Sequence, residues 1–194
     1  NQYVLDVSKE LEKDATRSGF GRGLKKAGEL DENVVALCAD LTGSVKMDAF
    51  ATAFPERFVQ VGIGEQNLVT TAAGLALAGK IPFTASYAAF SPGRNWEQIK
   101  TTACINEVPV KIIGAHAGLY TGPDGATHQM LEDIAIMRAM PGMVVMAPCD
   151  AVEAEKMTLA MAKDGRPNYM RVARENTPVF TTPETPFEIG KSYV

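Results

Sequence analysis

Residues 57–87 run RFVQVGIGEQNLVTTAAGLALAGKIPFTASY, and their reading decides the fold. RFVQVG (57–62) is a short apolar run and IPFTASY (81–87) is another. Between them, EQNLVTTAAGLALAGK (65–80) has helical spacing, with Gly79 placed to stop the helix. A strand, a helix and a second strand joined this closely form a crossover between parallel strands.

The same alternation continues on both sides. VVALCAD (34–40), PVKIIGAH (109–116), GMVVMAP (142–148) and NYMRVAR (168–174) read as further strands. Most are continuous apolar runs, which predicts burial on both faces. GRNWEQIKTTACINEV (93–108), HQMLEDIAIMRAM (128–140) and AVEAEKMTLAMAKDG (151–165) read as helices, the last stopped by Gly165. ATRSGFGRGLKKAGEL (15–30) adds a first helix. The expected fold class is α/β, a mainly parallel sheet with helices on both faces. It occupies residues 1–176, and the Thr- and Pro-rich residues 177–194 read as a linker toward an absent C-terminal domain.

Bulk properties exclude several classes. The 194 residues carry a net charge of −4, so there is no basic field for nucleic acid or anionic lipid. No apolar run reaches the ~18 residues of a membrane span. NQYVLDVSKELEKD (1–14) lacks a signal-peptide pattern. Cys38, Cys104 and Cys149 are odd in number and read as buried, reduced thiols, which points to a cytoplasmic protein.

In a parallel sheet, ligands bind beyond the carboxyl ends of the strands, so polar residues just after a strand carry most weight. Asp40 and Ser44 follow the first strand, and Glu65 follows the second behind a Gly-x-Gly turn. Tyr87, Phe90 and Arg94 follow the third. His116 follows the fourth, and the loop GLYTGPDGATHQ (118–129) then brings Asp124 and His128. Glu65 by position suits the positive end of a helix; a carboxyl in an apolar pocket could also exchange a proton with a ring nitrogen. Tyr87 and Phe90, separated by two alanines, suit either a core or a flat ligand. His116, Asp124 and His128 suit either metal binding, for which their spacing matches no standard set, or acid–base work and hydroxyl recognition, which is the stronger reading. Arg171 and Arg174 fall on opposite sides of the last strand, and an arginine there could grip a phosphate. Gly19-Phe-Gly21-Arg-Gly23 lacks the spacing and the preceding strand of a dinucleotide loop.

Three stretches, GIGEQNLVTTAAGLALAGKIPF, SYAAFSPGRNWEQIK and GPDGATHQMLEDIAIMRAMPGMVV, resemble the pyrimidine-binding domain of transketolases. The resemblance runs from about Thr16 to Asn176. SPGRNWEQ is most similar to the separate C-terminal subunit of split bacterial and archaeal transketolases. The wider family includes deoxyxylulose-phosphate synthase and the β-chains of 2-oxo acid dehydrogenases. His116 and His128 with Arg174 favour a phosphorylated sugar over a lipoyl-linked substrate. A non-catalytic partner that keeps only the fold is a third reading, and the presence of Glu65 argues against it.

The resemblance implies a role for each position. Glu65 would hydrogen-bond the aminopyrimidine of thiamine diphosphate and activate it. Phe90 would stack on that ring, with Tyr87 in the pocket wall and Asp40 a cofactor-side acid. Arg17, Ser44, His116 and Arg174 would bind the substrate, the arginines and the serine at its phosphate. Asp124 would recognise a sugar hydroxyl, and His128 would assist proton transfer. No role carries over to Arg94, because the Phe90–Arg94 spacing differs from that of full-length transketolases. The Gly-Asp-Gly…Asn motif that holds the diphosphate and Mg²⁺ has no counterpart here. A partner subunit is therefore expected to bind the metal, and this chain none. A homo-oligomer contact is also expected.

Overall fold

The computed structural model describes residues 3–191. In chain order the named elements are β1 (Lys13–Ala15), α1 (Thr16–Leu30), β2 (Val34–Cys38), α2 (Asp48–Ala53), β3 (Phe58–Gln60), α3 (Glu65–Leu77), β4 (Ile81–Tyr87), α4 (Trp96–Gln98), β5 (Lys111–Ala115), α5 (Asp133–Arg138), β6 (Val144–Met146), α6 (Ala151–Lys163), β7 (Asn168–Arg171) and β8 (Asn176–Pro178). Among the described residues, six strands form one sheet in the order β3-β2-β4-β5-β7-β6. Every neighbouring pair in it is parallel. All six strands expected from the apolar runs are present.

The reason for those runs is visible in β2. Val34, Ala36 and Cys38 pack on one side with Phe20 and Leu24 of α1 and Met157 and Met161 of α6. Val35, Leu37 and the following Ala39 pack on the other with Leu68, Val69 and Ala72 of α3. Successive side chains point to opposite faces, so covering both faces demands an apolar residue at every position. Gly19-Phe-Gly21-Arg-Gly23 serves the same packing. A Cβ on Gly23 would lie 2.7 Å from the Thr158 Cβ of α6, so α1 and α6 approach more closely than alanine would allow.

Some helices differ from expectation. The residues after α4 continue as a π-helix, Ile99–Cys104. The stretch 128–140 is α-helical only over α5, because the Met130 and Gly118 backbones pair with each other and Gln129 before that pairing is extended. A 3₁₀ segment, Gly122–His128, precedes it. Gly79 takes φ +85 and ends α3 as expected. At α6 the stop falls on Asp164, which is extended, and Gly165 is not in the left-handed region. Cys38 and Cys104 are buried, but Cys149 is exposed, because β6 ends at Met146 and Cys149 lies in the turn before α6.

The stretch read as a linker lies against the domain as far as it is described. β8 pairs antiparallel with β1. Asp150 accepts hydrogen bonds from the Phe180 and Thr181 amides and from the Thr181 hydroxyl. Phe187 and Ile189 pack on the core. Residues 192–194 of that stretch, and residues 1–2, lie outside the described residues. Among the described residues no helix is long and apolar enough to cross a membrane.

Candidate active site

Glu65 is the first residue of α3, at the carboxyl edge of the sheet, and it is only 2% exposed. Two neighbours hold it there. Asn95, fully buried, donates from its side-chain amide to the Glu65 carbonyl at 2.7 Å. Arg94 donates from Nη1 to Glu65 Oε2 at 2.9 Å. Both come from the turn after β4, which the stretch SPGRNWEQ forms. The carboxylate thus sits at a helix N-terminus, where the macrodipole favours a negative charge, with one cation as partner.

Arg94 also touches Phe90. Its guanidinium carbon lies 4.4 Å from the Phe90 ring centroid, a cation–π contact. Phe90 is parallel to Tyr87, with centroids 5.7 Å apart and 6° between planes. The His128 ring meets Phe90 edge-on at 5.2 Å and Tyr87 at 6.1 Å. Tyr87 in turn stacks on His116 at 3.9 Å. One chain of ring contacts therefore runs from the carboxylate region to His116.

His116 follows β5 directly and takes φ +54, a conformation uncommon for a residue with a side chain and one that clusters at functional sites. It is 1% exposed, and its Nε2 lies 3.4 Å from Arg17 Nη1. Since guanidinium only donates, Nε2 is the acceptor and the proton resides on Nδ1. That buried Nδ1 has no hydrogen-bond partner among the described residues. Burial pushes the imidazole down to about pKa 4, Arg17 and Arg174 add to this, and Asp124 opposes it.

Arg17 gathers the anion-binding candidates. It donates from Nη1 to the Ser44 carbonyl at 2.7 Å and from Nε to the Arg174 carbonyl at 3.1 Å. Arg174 bonds to the Thr121 carbonyl. Burial, and then Arg174, push the Arg17 guanidinium below its ordinary value. Among the described residues Arg17 has no carboxylate within ion-pair distance and Arg174 has Glu175 at 3.8 Å, so the two arginines and a neutral histidine surround an orphaned donor with one carboxylate between them. Such a cluster suits an oxyanion such as phosphate.

The structure thus brings Glu65, Tyr87, Phe90, His116 and His128 into one contact network, and Arg17, Ser44 and Arg174 onto its far end. Asp40 stands apart, and Asp124 reaches the network only through its charge, which acts on His116. Asp40 is exposed, with φ 59, and its amide donates to Gln60 Oε1. Asp124 is exposed in the 3₁₀ segment, its carbonyl accepting from Thr127. Arg171 separates from Arg174 as the alternation implied, pairing with buried Asp133 at 3.3 Å. Asn95 gains a place that sequence reasoning did not give it, and Arg94, noted only for following the third strand, gains a role on Glu65. Their signal was the motif SPGRNWEQ itself, but only the folded turn shows that both reach Glu65. Among the described residues no group of three or more His, Cys, Asp or Glu is placed to hold a metal ion.

Comparison with known proteins identifies relatives of the chain. The family profile "Transketolase, pyrimidine binding domain" matches residues 12–179. A protein of Methanocaldococcus jannaschii, provisionally named as a transketolase C-terminal section, is 45% identical over 180 residues, covering 92% of this chain and 57% of that protein. One of the subunits of the apulose-4-phosphate transketolase of Phocaeicola vulgatus is 37% identical over 179 residues, with the same two coverages of 92% and 57%. A solved structure described as "Split gene transketolase, inactive beta4 tetramer" superposes with a TM-score of 0.84 at 41% identity, covering 93% of this chain and 58% of that one. The chain spans just over half the length of these relatives.

Proposed function

Because this chain belongs to the transketolase family, as one of its pyrimidine-binding domains, we propose that it forms half of a thiamine-diphosphate site. That site transfers a two-carbon ketol unit from a ketose phosphate to an aldose phosphate. The observation that carries the reading is the buried Glu65 carboxylate with Phe90 beside it, bridged by a planar, nitrogen-donating group, the Arg94 guanidinium. The residues fit an aminopyrimidine by that test: a flat donor already sits over the ring and on the carboxylate.

When bound, thiamine diphosphate supplies a carbon nucleophile for the ketose carbonyl. Glu65 holds a proton at the pyrimidine ring nitrogen, a task for which a water-poor carboxyl is suited. Phe90 gives the ring a face and Tyr87 closes the wall, with Asp40 on the cofactor side. Arg17, Ser44 and Arg174 hold the phosphate end of the sugar, and His116 binds the substrate beside them with its Nδ1, which lacks a partner among the described residues. Asp124 takes a sugar hydroxyl, and His128, at the edge of Phe90, moves a proton at the carbonyl or hydroxyl oxygen.

The diphosphate and its Mg²⁺ belong to a partner, an N-terminal transketolase subunit. The related structure described as an inactive beta4 tetramer supports both self-association of this kind of chain and its inactivity without that partner. The enzyme works in the cytoplasm, in the pentose phosphate pathway. Calorimetry tests the division of labour. Thiamine diphosphate binds this chain weakly by itself and tightly once the partner is added. Tight binding by this chain alone would sink the proposal.

A further inference from the structure

The geometry points to the Glu65–Phe90 seat as a general site for planar amidinium-type cations, which Arg94 fills in cis until a ligand displaces it. The inference rests on the proposed function only in naming the pyrimidine as the natural ligand.

Three observations carry it. The Arg94 guanidinium satisfies both sides of the seat at once, 2.9 Å from Glu65 Oε2 and 4.4 Å from the Phe90 centroid. A guanidinium and an aminopyrimidine protonated at its ring nitrogen share the features the seat reads: a flat N–C–N unit, a π-face and an in-plane donor. The pair is also uneven. The Glu65 side chain is 2% exposed and the Arg94 side chain 50% exposed, so the carboxylate is fixed and the cation is free to swing outward. The backbone beneath Arg94 stays put, since its amide donates to the Phe90 carbonyl at 3.0 Å and the adjacent Asn95 grips the Glu65 carbonyl.

The arrangement has a physical purpose. A buried carboxylate without a partner is costly, so the chain keeps a cation on it until a ligand takes over. Arg94 and the ligand then compete for one oxygen and one ring face. The apparent affinity falls by the fraction of molecules in which the seat is open. With the open form near a tenth of the population, removing Arg94 tightens binding roughly tenfold.

The probe is benzamidine, a planar aryl amidinium, titrated by calorimetry and by NMR of the Phe90 ring. Arg94→Ala binds it roughly tenfold tighter than the unaltered chain, and Arg94→Ala with Glu65→Gln loses that gain. Arg94→Gln, run in parallel, guards against a loosened turn in the alanine variant. Equal or weaker binding by both Arg94 variants would overturn the inference. The same proteins are then titrated with thiamine diphosphate in the presence of the diphosphate-binding subunit. If benzamidine discriminates but thiamine diphosphate binds none of them, the placeholder stands and the proposed function fails. If thiamine diphosphate binds the unaltered chain and the two Arg94 single variants alike, binds the variant carrying Glu65→Gln more weakly, and benzamidine shows no difference, the function stands and the placeholder fails.

Discussion

Tyr87 lies nearly flat on His116, with ring centroids 3.9 Å apart and planes 19° from parallel. Tyr87 ends β4, and His116 follows β5, its neighbour in the sheet. The stack therefore joins the carboxylate seat on one strand to the arginine pair on the other side. It also buries the imidazole, which sets its protonation.

His116 stays neutral to about pH 4, because burial and then Arg17 and Arg174 disfavour its charged form. In the unfolded chain it takes its proton near the ordinary imidazole value of 6.5. Between those two values the unfolded state binds more protons, so stability falls as pH drops through the window. The full contribution is present above it. NMR titration of the two histidines reads this directly, and His116→Gln flattens the slope of stability against pH between 4 and 6.5. A His116 midpoint at the ordinary imidazole value would show that the stack does not exclude water.

Glu65→Gln keeps the shape of the carboxyl group and removes its proton exchange. With the partner subunit present, kcat falls by roughly 10²–10⁴-fold, the usual worth of general acid–base catalysis. The circular dichroism spectrum does not change. Unaltered activity would favour a chain that keeps the fold without the chemistry.

Arg17→Ala separates phosphate recognition from the chemical step. Losing one charge-assisted bond of about 1.5–3 kcal/mol raises KM for phosphorylated sugars roughly tenfold to a hundredfold. A sugar lacking phosphate shows no comparable change. Equal effects on both substrates would mean that Arg17 serves only to tie Ser44 to Arg174.

Asp150 ties the stretch after β8 to the domain. It caps α6 through the Glu153 amide and accepts three bonds from Phe180 and Thr181. Burial pushes its carboxyl up, but these bonds outweigh burial and hold it below the usual carboxylate value. Its stabilisation is complete above pH 3.8 and is lost as pH falls through the lower folded value. Asp150→Ala costs about 3 kcal/mol in urea unfolding, combining a lost cap with stranded amides. The 177–191 segment becomes the first site of proteolysis.

Gly114→Ala tests the opposite face of the sheet. Its new Cβ meets the hydroxyl of Tyr169, which is fully buried and donates to Asp133 Oδ2 at 2.7 Å. Overpacking and a weakened charged bond together cost about 3 kcal/mol, read as a drop in the unfolding midpoint. A neutral substitution would mean that Tyr169 has room to move.

Much of this was legible in the chain. Each strand of the sheet announced itself, because a strand covered on both faces needs apolar residues throughout, as Val34–Cys38 shows. Glu65 at the start of α3 followed from a Gly-x-Gly turn before a helical period. Less legible was the stretch from His128 to Met140, where helical spacing is interrupted by the Gly118–Met130 pairing. That pairing is a tertiary contact, and local periodicity carries no trace of it.

The sequence by itself determined the strand–helix alternation and which residues would stand at the strand ends, because periodicity records which side of each element is buried. Only the tertiary structure decided who meets whom. Arg17 reaches the Arg174 carbonyl across 157 positions, and Arg94 rather than a residue of α3 closes on Glu65. Those meetings depend on the strand order β3-β2-β4-β5-β7-β6, which sets the distances between strand ends and is written in no single segment.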